Sequence, residues 1–134
     1  MISKLSILIP TYNKVCLGLV ESLQAQASLL SDFHYEIIVA DDGSTDNSTI
    51  EANKAINKLP NCQYIERNIN IGRAAIRNFL AQEAKYAWLL YIDSNMSVVS
   101  NDYIAKYHSC KEHDVIYGGY KIDGNQPQLK GNLR

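Results

Sequence analysis

The stretch Glu36-Ile37-Ile38-Val39-Ala40-Asp41-Asp42-Gly43-Ser44-Thr45-Asp46 decides how this chain is read. Residues 35–40 form a short run rich in β-branched side chains, the pattern of a strand inside a sheet. The run stops at two adjacent carboxylates. Gly43, Ser44 and Asp46 then supply turn and helix-capping residue types. Capping explains these three better than it explains Asp41 and Asp42 together, because like charges side by side repel. A strand-end carboxylate can also accept a hydrogen bond from a base imide or a ribose hydroxyl. On this stretch alone, turn and binding readings stand level.

The same strand-then-helix unit repeats on either side. Upstream, Leu5-Ser6-Ile7-Leu8-Ile9 is a strand ended by Pro10. A helix over about residues 15–30 follows, with Cys16, Leu19, Val20, Leu23, Ala27 and Leu30 on one face. Downstream, Ala52, Ala55, Ile56 and Leu59 stripe a second helix closed by Pro60-Asn61, and residues 63–66 form a third strand. A loop over 68–72 enters a helix near 73–85 whose Ala75, Ile76, Phe79 and Leu80 face inward. Residues 86–92 are nearly all apolar, as expected of a central strand covered on both faces. A short helix over 102–110 and a last strand at Val115-Ile116-Tyr117 complete the order, and 123–134 read as a polar loop or tail. Strands alternating with helices predict an α/β fold, a Rossmann-like, mostly parallel sheet with helices on both faces. Residues 1–122 form its single domain. Ligands of such sheets sit at the carboxyl ends of the strands.

Composition narrows the classes. With 46% hydrophobic residues, 20% charged residues and a formal charge of -1 in 134 residues, the chain reads as one globular domain and not as a disordered one. There is no basic excess to meet a nucleic-acid backbone. Cys16, Cys62 and Cys110 are scattered and odd in number, which fits reduced thiols in a cytoplasmic protein. His34, His108 and His113 lack metal-ligand spacing. Nothing at the N-terminus reads as a signal peptide, and no apolar run approaches the ~20 residues that span a bilayer.

Four strand-end loops carry the candidate chemistry. Pro10-Thr11-Tyr12-Asn13 has no glycine, which excludes a G-x-G-x-x-G fingerprint and a G-x-x-x-x-G-K-[ST] phosphate loop. Tyr12 can stack on a base and Thr11 can hydrogen-bond it; the competing reading is a plain turn with a surface tyrosine. Asp41, Asp42 and Gly43 form the second loop. In the third, around Gly72, Arg73 and Arg77 lie one turn apart and suit a diphosphate, against the reading of two solvated arginines. In the fourth, Asp93-Ser94-Asn95, a carboxylate directly after an apolar strand is a place for a divalent cation, which takes oxygen ligands, or for a helix cap. All four loops fall on one predicted edge.

In these residues, and in Ser6-Ile7-Leu8-Ile9-Pro10-Thr11-Tyr12-Asn13, Asn70-Ile71-Gly72 with Arg77-Asn78, and Tyr91-Ile92-Asp93-Ser94-Asn95, the chain resembles the family-2 type glycosyltransferases of the GT-A fold. The resemblance implies a donor-binding half that uses a nucleotide-diphosphate sugar, UDP-linked, for inverting transfer to an acceptor hydroxyl in polysaccharide biosynthesis. It implies that Thr11, Tyr12 and Asp41 hold the base, that Arg77 helps at the nucleotide, and that Asp93 belongs to a D-x-D element serving ribose and a metal diphosphate, with Mn or Mg as the metal. Asn95 replaces the second carboxylate of that element, which weakens metal binding. No carboxylate among Asp102, Glu112, Asp114 and Asp123 lies in a recognisable general-base context. The chain is therefore expected to stop before its acceptor half and catalytic base, and to leave apolar sheet surface that favours homo-oligomers. The acceptor, glycan or lipid-linked, is open. A non-catalytic nucleotide-sugar-binding module is the main alternative. A nucleotidyltransferase is a weaker one, disfavoured by the glycine-poor first loop.

Overall fold

The computed structural model describes residues 2–98 and 100–109, together with the backbone of 119–120 and 129–130. Its elements run β1 (Lys4–Thr11), α1 (Leu17–Ser28), β2 (His34–Asp42), α2 (Asn47–Asn53), a 3-10 turn (Lys54–Lys58), β3 (Cys62–Arg67), α3 (Arg73–Glu83), β4 (Leu89–Tyr91) and α4 (Tyr103–Ser109). The main sheet is parallel, in the order β3-β2-β1-β4. This is the α/β architecture expected, with strand order reversing about β1.

The pleat sorts the core onto two faces. Ile7 and Ile9 of β1 and Ile37 and Val39 of β2 join Leu19, Val20 and Leu23 of α1. Leu8, Ile38 and Ala40 point the other way and meet Ile76 and Leu80 of α3. Successive strand residues alternate faces, so β1 and β2, covered on both, read as unbroken apolar runs. Fully burying each of these isoleucine, leucine and valine side chains contributes roughly 1.5–3 kcal/mol.

Three elements differ from expectation. The apolar run at 86–92 yields only Leu89–Tyr91 as strand, and that strand lies at the margin of the described sheet beside β1. Ahead of it, side chains tie down two residues: the Lys85 amide donates to Glu36 Oε2 at 2.6 Å and the Tyr86 amide to Ser6 Oγ at 3.2 Å, while the Trp88 carbonyl accepts from the Ser6 amide of β1 at 2.9 Å. The second helix leaves α geometry at Lys54 and finishes as the 3-10 turn, and the buried positions are Thr49, Ile50, Asn53 and Ile56 while Ala52 and Ala55 are half-buried. Within the stretch read as a polar tail, Leu129–Lys130 (β6) pairs antiparallel with Gly119–Tyr120 (β5). The strand expected at Val115-Ile116-Tyr117 and the late carboxylates Glu112, Asp114 and Asp123 lie outside the described residues.

Candidate functional site

A cleft of about 500 Å³ opens at the carboxyl ends of the strands. That size suits a small-molecule ligand. Pro10, Thr11, Tyr12, Asn13 and Lys14 line it from the segment after β1, and Asp42 lines it from the end of β2. Asn70, Gly72, Arg73 and Ile76 contribute from the entry to α3, and Asp93, Ser94 and Asn95 from the segment after β4. All four expected loops therefore meet.

Tyr12 is 49% exposed and presents its ring to solvent, as a stacking platform requires. Thr11 is buried and donates to the Lys14 carbonyl at 3.1 Å, so its hydroxyl closes the turn. Asn13 adopts φ 50, in the left-handed region that asparagine tolerates.

The two aspartates divide their work in a way the sequence reading did not anticipate. β2 extends through both, so they face opposite sides of the sheet. Asp41 points to the α1 side and is fully buried. Its Oδ1 accepts from the Ser44 amide at 2.7 Å and its Oδ2 from the Tyr64 hydroxyl at 2.5 Å. Burial first, and then the bond to Asp41, push the Tyr64 phenol well above its usual range, so it stays a neutral donor. Asp41 is absent from the cleft lining, where the expected base-holding carboxylate would be. Asp42, on the α3 side, is present there, and accepts from the amides of Ile71 at 2.7 Å and Gly72 at 3.1 Å.

Gly43 lies behind the lining and serves close approach. It has φ 74, and a Cβ there would fall 2.5 Å from the Asn70 nitrogen. Gly72, at φ 93, caps α3 and borders the cleft. Arg73 lines the cleft, whereas Arg77 reaches it through another residue. Its Nη2 lies 3.7 Å from Asp93 Oδ1, and its guanidinium sits 5.2 Å from the Tyr91 ring centroid. Asn70 and Ser94 were quoted in the sequence motifs without a role of their own, Ile76 was read as a core position, and Lys14 was not picked out. Lys14 was detectable, as a cation directly following the Thr11-Tyr12-Asn13 turn.

Asp93 and Asn95 offer one carboxylate and one amide oxygen. Among the described residues no group of three or more His, Cys, Asp or Glu could hold a metal. The donor set fits a hard cation that takes its remaining ligands from phosphate oxygens and water. Burial raises the thiols of Cys16 and Cys62 to about 11, so neither is a nucleophile at neutral pH.

Residues 6–121 match the family described as Glycosyl transferase family 2. The chain belongs to that family. It is 37% identical over 123 residues to a poly(ribitol-phosphate) beta-glucosyltransferase of Bacillus spizizenii, a match spanning 88% of this chain and 19% of the relative. Among solved structures, S. aureus TarS 1-349 in complex with UDP-GlcNAc superposes with a TM-score of 0.63 at 27% identity, covering 79% of this chain and 30% of that one. The mannosyltransferase PcManGT from Pyrobaculum calidifontis, in complex with GDP-Man and Mn2+, shares the fold with a TM-score of 0.62 at 19% identity, over 75% of this chain and 30% of that one. The fold is thus GT-A, and this chain spans less than a third of each relative named. Among the described residues no helix is long and apolar enough to cross a membrane.

Proposed function

We infer that this chain binds the nucleoside diphosphate of a sugar donor and forms the donor side of a glycosyltransferase acting in surface-polysaccharide synthesis. The single observation that carries this reading is the convergence of Tyr12, Asp42, Arg73 and Asp93 on one cleft at the carboxyl edge of the sheet. Tyr12 stacks on the base. Asp42, held by the Ile71 and Gly72 amides, takes the base imide in place of Asp41. Arg73 meets the diphosphate, and Asp93 is oriented by Arg77. The UDP-GlcNAc complex of the structurally similar TarS favours a UDP-linked donor.

Asp93 and Asn95 are the residues that would hold a Mn or Mg ion. A divalent cation there supplies positive charge to the leaving diphosphate. The chemistry is displacement at the sugar carbon by an acceptor hydroxyl, with inversion and with a base taking the proton. Titrating the chain with UDP, UDP-GlcNAc, UDP-glucose and GDP-mannose, with and without Mn²⁺, tests the reading. UDP and its sugars are expected to bind more tightly than GDP-mannose. Absence of binding by every one of them would overturn it. Transfer assays on the protein in its natural context then separate an enzyme from a non-catalytic binding module.

A further inference from the structure

Asn13 borders the cleft, yet its side chain is turned toward another loop. Its Oδ1 accepts from the Thr45 amide at 2.9 Å and from the Asp46 amide at 3.0 Å, and its Nδ2 donates to Thr45 Oγ1 at 3.1 Å. Its own amide donates to Ser44 Oγ at 2.7 Å. These four bonds cross 31 to 33 positions of sequence and join the end of β1 to the segment after β2. Two of them satisfy amides just ahead of α2, which no helix carbonyl can reach.

The same segment is fastened on its far side. Asp42 takes the Ile71 and Gly72 amides, and Gly43 lies against Asn70 so closely that a Cβ would not fit. The segment over 42–46 is therefore a hub gripping both neighbouring loops. On the β1 side, Asn13 is the grip. Chain geometry adds a constraint, because φ 50 at Asn13 fixes the direction in which the preceding Tyr12 leaves the strand.

We propose that Asn13 is a positioning residue: a clasp that holds Tyr12 at the distance from Asp42 at which one base fits between stacking ring and carboxylate, and not itself a ligand of the nucleotide. The proposal rests on the donor-site reading above. A side chain whose oxygen is already doubly engaged has little left for a ligand, whereas an unfastened loop must be ordered when the base binds, and that ordering weakens affinity.

Three proteins test it: wild type, Asn13→Gly and Asn13→Asp. Glycine keeps the left-handed backbone and removes the clasp. Aspartate keeps an oxygen for both amides and can accept from the Thr45 hydroxyl. Amide hydrogen exchange reports the clasp without any ligand, and UDP titration reports its consequence. In wild type the Thr45 and Asp46 amides should be protected. Asn13→Gly should lose that protection and bind UDP about tenfold more weakly, the loss expected when a loop must be ordered on binding. Asn13→Asp should keep the protection and stay within about threefold of wild type, since only its added charge opposes the diphosphate. Equal exchange at Thr45 and Asp46 in wild type and Asn13→Gly overturns the clasp. UDP binding by Asn13→Gly at wild-type strength overturns its role at the site. Asn13→Asp binding as weakly as Asn13→Gly while keeping protection makes Asn13 a direct ligand, and the proposal fails. Wild type that binds no UDP sinks the donor-site reading, and the positioning role with it.

Discussion

Strand β2 carries a buried carboxylate near each end, and the two ends are used differently. At the amino end, Glu36 accepts from Ser6 Oγ and from the Lys85 amide, both at 2.6 Å. At the carboxyl end, Asp41 accepts from Tyr64 and Ser44. Both groups accept from two internal donors, Glu36 through Oε2 alone and Asp41 through both oxygens, as buried charges require partners. Only the carboxyl end has a second acid, Asp42, one residue on and on the opposite face of the sheet. Its donors come from one side, leaving it bordering the cleft. Burial of a carboxylate is thus no mark of function here. Asp42 is buried too and accepts on both oxygens, so its place in the lining of the carboxyl-edge cleft is the better mark.

The sharpest way to break this comparison is Asp41→Ala. The change leaves the buried Tyr64 hydroxyl and the partly buried Ser44 amide without an acceptor, and each orphaned donor costs about 1–3 kcal/mol. Urea denaturation should show a loss of about 4 kcal/mol, large against the few kcal/mol by which domains are stable. If the variant folds with wild-type stability yet no longer binds UDP, Asp41 belongs to the cleft and the two aspartates have been assigned the wrong way round.

Asp42→Ala is the complementary change. Loss of a charged acceptor should weaken UDP by about 1.5–3 kcal/mol, roughly tenfold to a hundredfold. Calorimetry against UDP reads this directly. Wild-type affinity would leave the base without its carboxylate partner.

Much of this was legible in sequence, and the misses have physical causes. Strands β1 and β2, the helix between them and the four-loop edge follow from apolar periodicity and turn residues alone. Which aspartate faces the cleft did not follow, because it depends on where β2 ends. Read as ending at Ala40, the strand leaves both acids in a turn. In the structure it runs to Asp42, in register with β1 as far as Thr11 opposite Asp41, and the pleat separates the acids. A strand covered on both faces shows no alternation from which the parity could be read. Tyr64 as the partner of Asp41 is a contact between neighbouring strands, out of reach until their register is known. The Ser6 and Glu36 pair was closer to legible: two polar residues inside apolar strands, directly opposite in register. The start of the run at 86–92 misled because apolar composition cannot distinguish a strand from a connection whose amides are taken by Glu36 and Ser6.

At the amino end, Glu36→Gln sharpens the contrast from the other side. The amide oxygen can still accept, so only the charge assistance in its bonds to Ser6 and Lys85 is lost. A cost of about 1 kcal/mol in unfolding free energy is expected. UDP affinity should not move, because Glu36 lies at the opposite edge from the cleft. A fall in UDP affinity at unchanged stability would show that the two ends of β2 are coupled.

The smallest expected effect is at Asn95, where the carboxyl edge meets the metal question. Asn95 is exposed and Asp93 retains half of its side-chain exposure, so charges there are screened by water. Asn95→Asp adds a negative charge on the cleft rim. Without a divalent ion that charge repels the diphosphate, and UDP should bind more weakly. With Mn²⁺ present the same carboxylate gains a partner, and UDP should bind more tightly than to wild type. In high dielectric, one charge pair at about 4 Å is worth at most about 1 kcal/mol, and salt lowers this further, so each change should be at most about fivefold. The two changes have opposite signs, and this makes the test decisive. A purely electrostatic effect on the nucleotide would lower affinity in both conditions, and a distorted loop would do the same. Only a residue whose oxygen shares the ion with Asp93 and the diphosphate reverses sign when Mn²⁺ is added. UDP titrations of both proteins with chelator and with Mn²⁺ give the four values required. A fall in both conditions would place residue 95 outside the ion's reach and leave Asp93 as the only protein ligand proposed here.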